Sequence, residues 1–139
     1  MDWKLEVVVA PVSDVDRARD FYVDKLGFTL DVDHAAGEQF RVVQVTPPGS
    51  ACSIVFGVGI GGGMAPGSLK GATLVVPDIE EAYAALQRAG VDSSGPVHFV
   101  DGVQTPGLDP DRTSYGTFVF FDDPDGNSWA VQENRGSAG

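Results

Sequence analysis

Cysteine is nearly missing from this chain: Cys52 is the only one among 139 residues. A lone cysteine excludes an intrachain disulfide and cannot build a thiolate zinc cage, so Cys52, inside an apolar run, reads as a small buried residue. Histidine is scarce too: His34 and His98 are the only two, leaving few groups that titrate near neutrality. Basic residues are outnumbered, nine Lys and Arg against 20 Asp and Glu, for a formal charge of −11. That balance argues against a phosphate-neutralising surface and so against nucleic acid as a partner. No apolar run reaches the length of a membrane span, so no membrane partner is expected. Met1–Glu6 has no basic segment leading into an apolar one, which predicts no signal peptide and a cytoplasmic setting. The apolar content, 42%, suffices for a core in one domain or in two half-size modules sharing one.

Proline and glycine are plentiful, and they punctuate the chain. Asp123-Pro124-Asp125-Gly126-Asn127 lies between an aromatic run (Phe118, Phe120, Phe121) and the strand-like Ser128–Gln132, and reads as a hairpin turn. Thr46-Pro47-Pro48-Gly49-Ser50 sits between two apolar runs in the same way. Strands are predicted over Leu5–Val12, Phe28–Val32, Gln39–Val45, Cys52–Phe56, Ala72–Val76 and Tyr115–Phe121, with one or two strand pieces in Val91–Val100. A helix is predicted after a Ser13 cap, with Val15, Ala18, Tyr22 and Leu26 on its apolar face and Phe21 at the border; Gly27 ends it. A second follows an Asp78 cap, with Ile79, Ala82, Leu86 and Ala89 apolar and Gly90 closing it. Asp101–Ser114 reads as a long polar loop and Asn134–Gly139 as a frayed tail. Gly57-x-Gly59-x-x-Gly62 has the spacing of a dinucleotide-binding loop, but Gly63 and Pro66 follow where a helix would be needed, so Gly57–Gly71 reads as a flexible connection.

The halves overlay. Val12-Ser13-Asp14-Val15-Asp16-x-Ala18 matches Val76-Pro77-Asp78-Ile79-Glu80-x-Ala82 at a spacing of 64 residues, and Pro47–Ser50 matches Pro124–Asn127 at 77. Each half then runs strand, helix and three strands, a βαβββ module: about 4–57, a linker about 58–70, and about 71–133, with a tail 134–139. The expected fold class is α+β, a single domain in which two modules pair into a curved mixed sheet around a cleft.

Pro11-Val12-Ser13-Asp14…Ala18…Phe21-Tyr22…Leu26-Gly27-Phe28, with Asp123–Asn127, closely resembles the vicinal oxygen chelate superfamily of glyoxalases, extradiol dioxygenases, fosfomycin-inactivating transferases and bleomycin-sequestering proteins. The resemblance implies the fold above and a divalent ion held by His, Glu or Gln from the first and last strands of each module. Carried over, those positions fall on Val7, Ser53, Gly71 and Ala130. Three carry no lone pair and the fourth is a weak donor, so no metal and no cofactor are expected. The implied function is a metal-independent binder of an apolar or aromatic small molecule, similar to the antibiotic-sequestering members. The alternative is an enzyme of the same superfamily, a lyase, isomerase, cyclase or dioxygenase, metal-free or with an unrecognised metal site. Members of the family often dimerise, so a homodimer is expected.

By strand alternation Val7, Val9, Ser53, Thr73 and Ala130 share the cleft-facing side, with Arg41, Val43, Phe118 and Phe120 in matching places on the third strands. Tyr115 is expected at the cleft mouth, and Trp129, on the opposite face from Ala130, against a helix. A buried Arg41 would need an anionic partner from Asp, Glu or ligand. His34, His98 and Tyr115 are the candidates for general acid or base chemistry, against the simpler reading of both histidines as surface residues.

Overall fold

The computed structural model describes residues 1–138. It is an α+β structure of nine strands and two helices among those residues, grouped into two compact units. Unit 1 comprises Met1–Leu69 with Asp123–Asn127, and unit 2 comprises Lys70–Asp122 with the chain from Ser128 onward.

In unit 1, β1 (Val7–Val9) pairs parallel with β4 (Ser53–Val58), which pairs antiparallel with β3 (Arg41–Thr46), and β3 with β2 (Thr29–Ala35). Helix α1 (Val15–Arg19) runs on into a π-helical stretch, Asp20–Lys25. Its cap is Asp14, whose Oδ1 accepts from the Arg17 N–H at 3.1 Å. Ser13, the expected cap, instead donates its hydroxyl to Asp125 Oδ1 at 2.5 Å. The wider π turn lets the consecutive Phe21 and Tyr22 both enter the core, which a 3.6-residue period cannot do as well. There Tyr22 meets Phe21 edge-on at 5.2 Å and stands 5.5 Å from Phe56.

The Asp123–Asn127 segment is bound into unit 1 by buried polar contacts. Asp123 Oδ2 accepts from the Tyr22 hydroxyl at 2.7 Å and from Asn127 Nδ2 at 2.7 Å, while Oδ1 accepts the backbone N–H groups of Asp125 and Asn127. Asn127 also donates to the Pro11 carbonyl and accepts from the Leu69 N–H. The backbone passes so close that a Cβ on Gly67 would lie 2.1 Å from the Asp125 carbonyl oxygen, so only glycine fits there. The fold motif read from sequence is thus a fastening as well as a turn.

In unit 2 the order is β5 (Ala72–Val76), β9 (Ser128–Glu133), β8 (Thr117–Asp122), β6 (Val97–Val100), β7 (Val103–Pro106), with β5–β9 parallel and the rest antiparallel. Helix α2 (Ile79–Arg88) begins at Asp78, whose Oδ1 accepts from the Glu80 and Glu81 N–H groups, and lays Ile79 and Leu86 against the sheet. Trp129 packs on this side, stacked on Phe121 at 6.2 Å.

Two sequence expectations need correction. The Asp101–Ser114 loop contains β7, joined to β6 by the two-residue turn Asp101-Gly102, both at positive φ. Asp-Gly is a strong signal for this tight hairpin, because glycine takes the left-handed second position without strain. The tail is also more ordered than expected: the Asn134 N–H donates to the Val76 carbonyl, and Arg135–Ala138 form a 3-10 turn. Gly139, the last residue of that tail, lies outside the described residues.

Candidate functional site

Each sheet has one side covered by its unit's helix and one side that the helix leaves open. On the covered side of unit 1 lie Ile54, Phe56, Val43 and Val45, all buried. Arg41 is on this side too: its guanidinium donates to Asp33 of β2 at 3.0 and 2.9 Å and to Asp16 of α1 at 2.7 Å. These hydrogen bonds from Arg41 hold the Asp33 carboxyl below its usual range. The partner that Arg41 needs is supplied from within the fold.

The expected placement of Arg41 and Val43 on the cleft-facing side is therefore overturned: Val43 is 0% exposed in the core, and Val42 and Gln44 take the open side. The cause is where the proline sits in each turn: Pro47 follows β3 directly, whereas Asp123 stands between β8 and Pro124. Six residues separate β3 from β4 and five separate β8 from β9. An overlay anchored on the Pro-Gly turns slips by one residue on β3, and a one-residue slip exchanges the faces. On β4 the longer first turn adds a second residue to the displacement, which keeps the face but misplaces the counterpart of Ala130. Thr73 pairs with Ala130 and Val9 with Val55, so Val55 rather than Ser53 is its equivalent.

The open side of unit 1 carries Val7, Val9, Ser53, Val55, Gln44, Val42 and, on the edge strand, exposed Val32 and His34. The open side of unit 2 is aromatic. Phe118 stacks on Phe120 at 5.9 Å with 12° between ring planes, and Phe99 meets Phe118 edge-on at 5.4 Å. Phe118 lies opposite Gln132, and Phe120 opposite Ala130, with Thr73 and Val75 next along the ladder. Phe99 was not singled out by the sequence, because β6 had no assigned register there. Its alternation with Val97, the β-strand partner of Phe118, was the signal available.

Three rings in one continuous line on a surface that the helix does not cover offer stacking area and little charge. Phe99 is 45% exposed and Val75 54%.

The acid-base candidates are dispersed over these surfaces. His34 is exposed on β2. His98 lies opposite Thr117, on the other side of β6 from Phe99, with Nδ1 2.8 Å from the Gly107 carbonyl oxygen. A carbonyl only accepts, so that nitrogen carries the proton and serves the loop. Tyr115 is half exposed at φ +63°, its N–H donating to the Glu133 carbonyl and its own carbonyl facing the Gln132 amide at 3.5 Å. The loop before it is clamped by Arg112, which donates to fully buried Glu133 and to Glu80 of α2, while Glu133 Oε2 accepts the Ile79 N–H at the start of that helix. The Arg112 guanidinium holds the Glu133 carboxyl below its usual range.

The donor set does not fit a divalent ion. Val7, Gly71, Ala130 and Val55 offer no side-chain ligand, and the Ser53 hydroxyl is engaged with Thr46 at 2.7 Å. Among the described residues no three His, Cys, Asp or Glu side chains gather in one place. Two surface hollows lie on the helical sides: one of about 490 Å³ along α1 lined by Asp14, Asp16, Arg17, Asp20, Lys25 and Pro124 with Phe21, and one of about 280 Å³ at the start of α2. The first is rimmed by solvated charge, and the second is lined by Val76, Pro77, Ala82 and Ala85 with Asp78 and Glu81.

A family model described as glyoxalase/bleomycin resistance protein/dioxygenase superfamily matches residues 4–131. Among solved structures, the antibiotic-binding protein TnmS3 from Streptomyces sp. CB03234 is 34% identical, with a TM-score of 0.75 over 96% of this chain and 97% of that one. A glyoxalase/bleomycin resistance protein from the same strain is 35% identical, with a TM-score of 0.71 over 94% and 100%. The Bacillus subtilis (strain 168) protein YetH is 26% identical over 130 residues, 94% of this chain and 98% of its own length.

Proposed function

The chain belongs to the glyoxalase/bleomycin resistance protein/dioxygenase superfamily, and from that premise we propose that it is a metal-independent small-molecule binder. It holds an apolar or aromatic ligand against its open sheet surfaces and sequesters a toxic natural product. The observation that carries this reading is the Phe99–Phe118–Phe120 ladder, which stands uncovered by α2 where a purely structural sheet would expose polar side chains. Similarity to an antibiotic-binding protein supports the ligand class. The chemistry of Val7, Ser53, Gly71 and Ala130 supports independence from metal, since none is a good ligand for a divalent ion.

The reading includes a homodimer in the cytoplasm, with a small molecule and neither nucleic acid nor membrane as partner. The half-exposed apolar side chain Val75 on edge strand β5 is the kind of surface a second copy would cover.

Isothermal titration of metal-stripped protein with a panel of polycyclic aromatic antibiotics tests the proposal. At least one compound should bind at micromolar concentration or better, unchanged by added Ni²⁺, Zn²⁺, Fe²⁺ or Mn²⁺, and binding should weaken in Phe118→Ala. Binding that appears only with metal, or chemical conversion of the bound compound, would overturn it in favour of an enzyme.

A further inference from the structure

On the open side of unit 1, Thr46 of β3 stands between two polar neighbours. Its Oγ1 is hydrogen-bonded to Asp31 Oδ2 and lies 2.7 Å from Ser53 Oγ of β4. Asp31 reaches Thr46 because the β2–β3 register breaks between Leu30 and Val32, and a bulge re-aims the side chain it carries.

The chemistry of the three groups sets the direction of every proton. A carboxylate can only accept, so the single Thr46 proton goes to Asp31. Thr46 Oγ1 is then left with lone pairs, and the contact with Ser53 is made by the serine proton. Ser53 therefore has no proton to offer outward. What it presents is an acceptor, with no hydrogen bond to its Oγ other than that with Thr46 among the described residues.

The setting sharpens this into selectivity. Ser53 is 5% exposed and sits beside Val7, its β1 partner, in a strand that continues into Val55 on the same side. A ligand group that reaches such a recessed oxygen leaves water behind. One with a donor replaces what it lost, whereas one without a donor leaves the serine lone pair unpaired.

We propose that Asp31, Thr46 and Ser53 form a one-way hydrogen-bond relay that makes the open side of unit 1 a subsite for a donor-bearing ligand group, a phenolic hydroxyl or an N–H. The inference rests on the reading that the open sheet surfaces take a small molecule, and it narrows that molecule to one with a donor.

Three planar probes alike except for one substituent separate the two ideas: 2-hydroxyanthraquinone, 2-aminoanthraquinone and 2-methoxyanthraquinone, titrated into wild type, Ser53→Ala, Thr46→Val, Asp31→Asn and Phe118→Ala. The hydroxy and amino compounds are expected to bind wild type about tenfold tighter than the methoxy compound, one net hydrogen bond. Ser53→Ala and Thr46→Val should bring all three within about twofold at a nearly unchanged melting temperature. Asp31→Asn should lower the discrimination, because an amide can donate to Thr46 and reverse the relay. Equal binding of the three probes by wild type, weakened for all by Phe118→Ala, overturns the relay and leaves the aromatic reading intact. Discrimination that survives both Ser53→Ala and Thr46→Val also overturns the relay. No binding of any probe overturns both.

Discussion

On the covered side, unit 1 ties its helix to its sheet through Arg41, bound to Asp16 of α1 and Asp33 of β2; unit 2 does so through Arg112, bound to Glu80 of α2 and Glu133 of β9. On the open side the likeness ends. Unit 1 has valines around a hydroxyl relay, and unit 2 has phenylalanines in contact with one another. Both units cap their helices with an aspartate, Asp14 and Asp78, 64 residues apart. What holds a module together has stayed alike, from different residues where necessary, and what faces outward has been free to differ. The difference supports the proposal that function lies on the open sides.

That contrast predicts covered-side and buried changes that act on folding and open-side changes that act on binding. The largest effect on stability is expected from Asp123→Ala, which removes the buried carboxylate that accepts from the Tyr22 hydroxyl, the Asn127 amide and the Asp125 and Asn127 N–H groups. Losing those charge-assisted bonds should cost about 3 kcal/mol in urea unfolding; a loss below about 1 kcal/mol would show that the turn is held by other means. Phe118→Ala should reverse the pattern. Ligand affinity should fall at least about tenfold, the scale of one lost ring-stacking partner, while unfolding free energy changes by much less than for Asp123→Ala.

Acid titration probes the covered sides together. Asp33 and Glu133 both have lowered native-state pKa values, so the unfolded chain binds their protons more readily. Their stabilisation is fully present above the ordinary carboxylate range and is lost as pH falls through the native values. Unfolding free energy should therefore be level in that respect above about pH 5 and decline below it. Glu133→Gln should flatten part of the decline. The smallest effects are expected from the histidines: His34→Ala should leave both melting temperature and affinity unchanged, and His98→Ala should loosen only the Gly107 loop, seen as faster amide exchange there.

The fold was legible because its signals are local. Asp78 stands as the expected cap before an apolar-periodic run, Asp14 takes the cap expected of Ser13 one residue on, and Asp123–Asn127 carries a turn signature whose buried hydrogen bonds now explain why those residue types are required. Alternation on β8 placed Phe118 and Phe120 on one face, and the structure leaves that face uncovered by α2. The rest depended on quantities that local pattern does not contain. The proline stands one residue nearer to β3 than to β8, which inverted Arg41 and Val43, and only pairing register could show it. Asp31 reached the relay through a bulge, which leaves no periodic trace. Asp101-Gly102 is a hairpin signal set inside a polar stretch that reads as loop.

The central claim is that ligand meets the open side of unit 2 and leaves the helical sides untouched. Chemical-shift mapping of isotopically labelled protein with 2-methoxyanthraquinone, whose substituent has no donor for Ser53, tests it most directly. The account predicts perturbations concentrated at Thr73, Phe99, Phe118, Phe120 and Ala130. Perturbations gathered instead along the α1 hollow, from Asp14 to Lys25 and Pro124, with the phenylalanines unmoved, would contradict it.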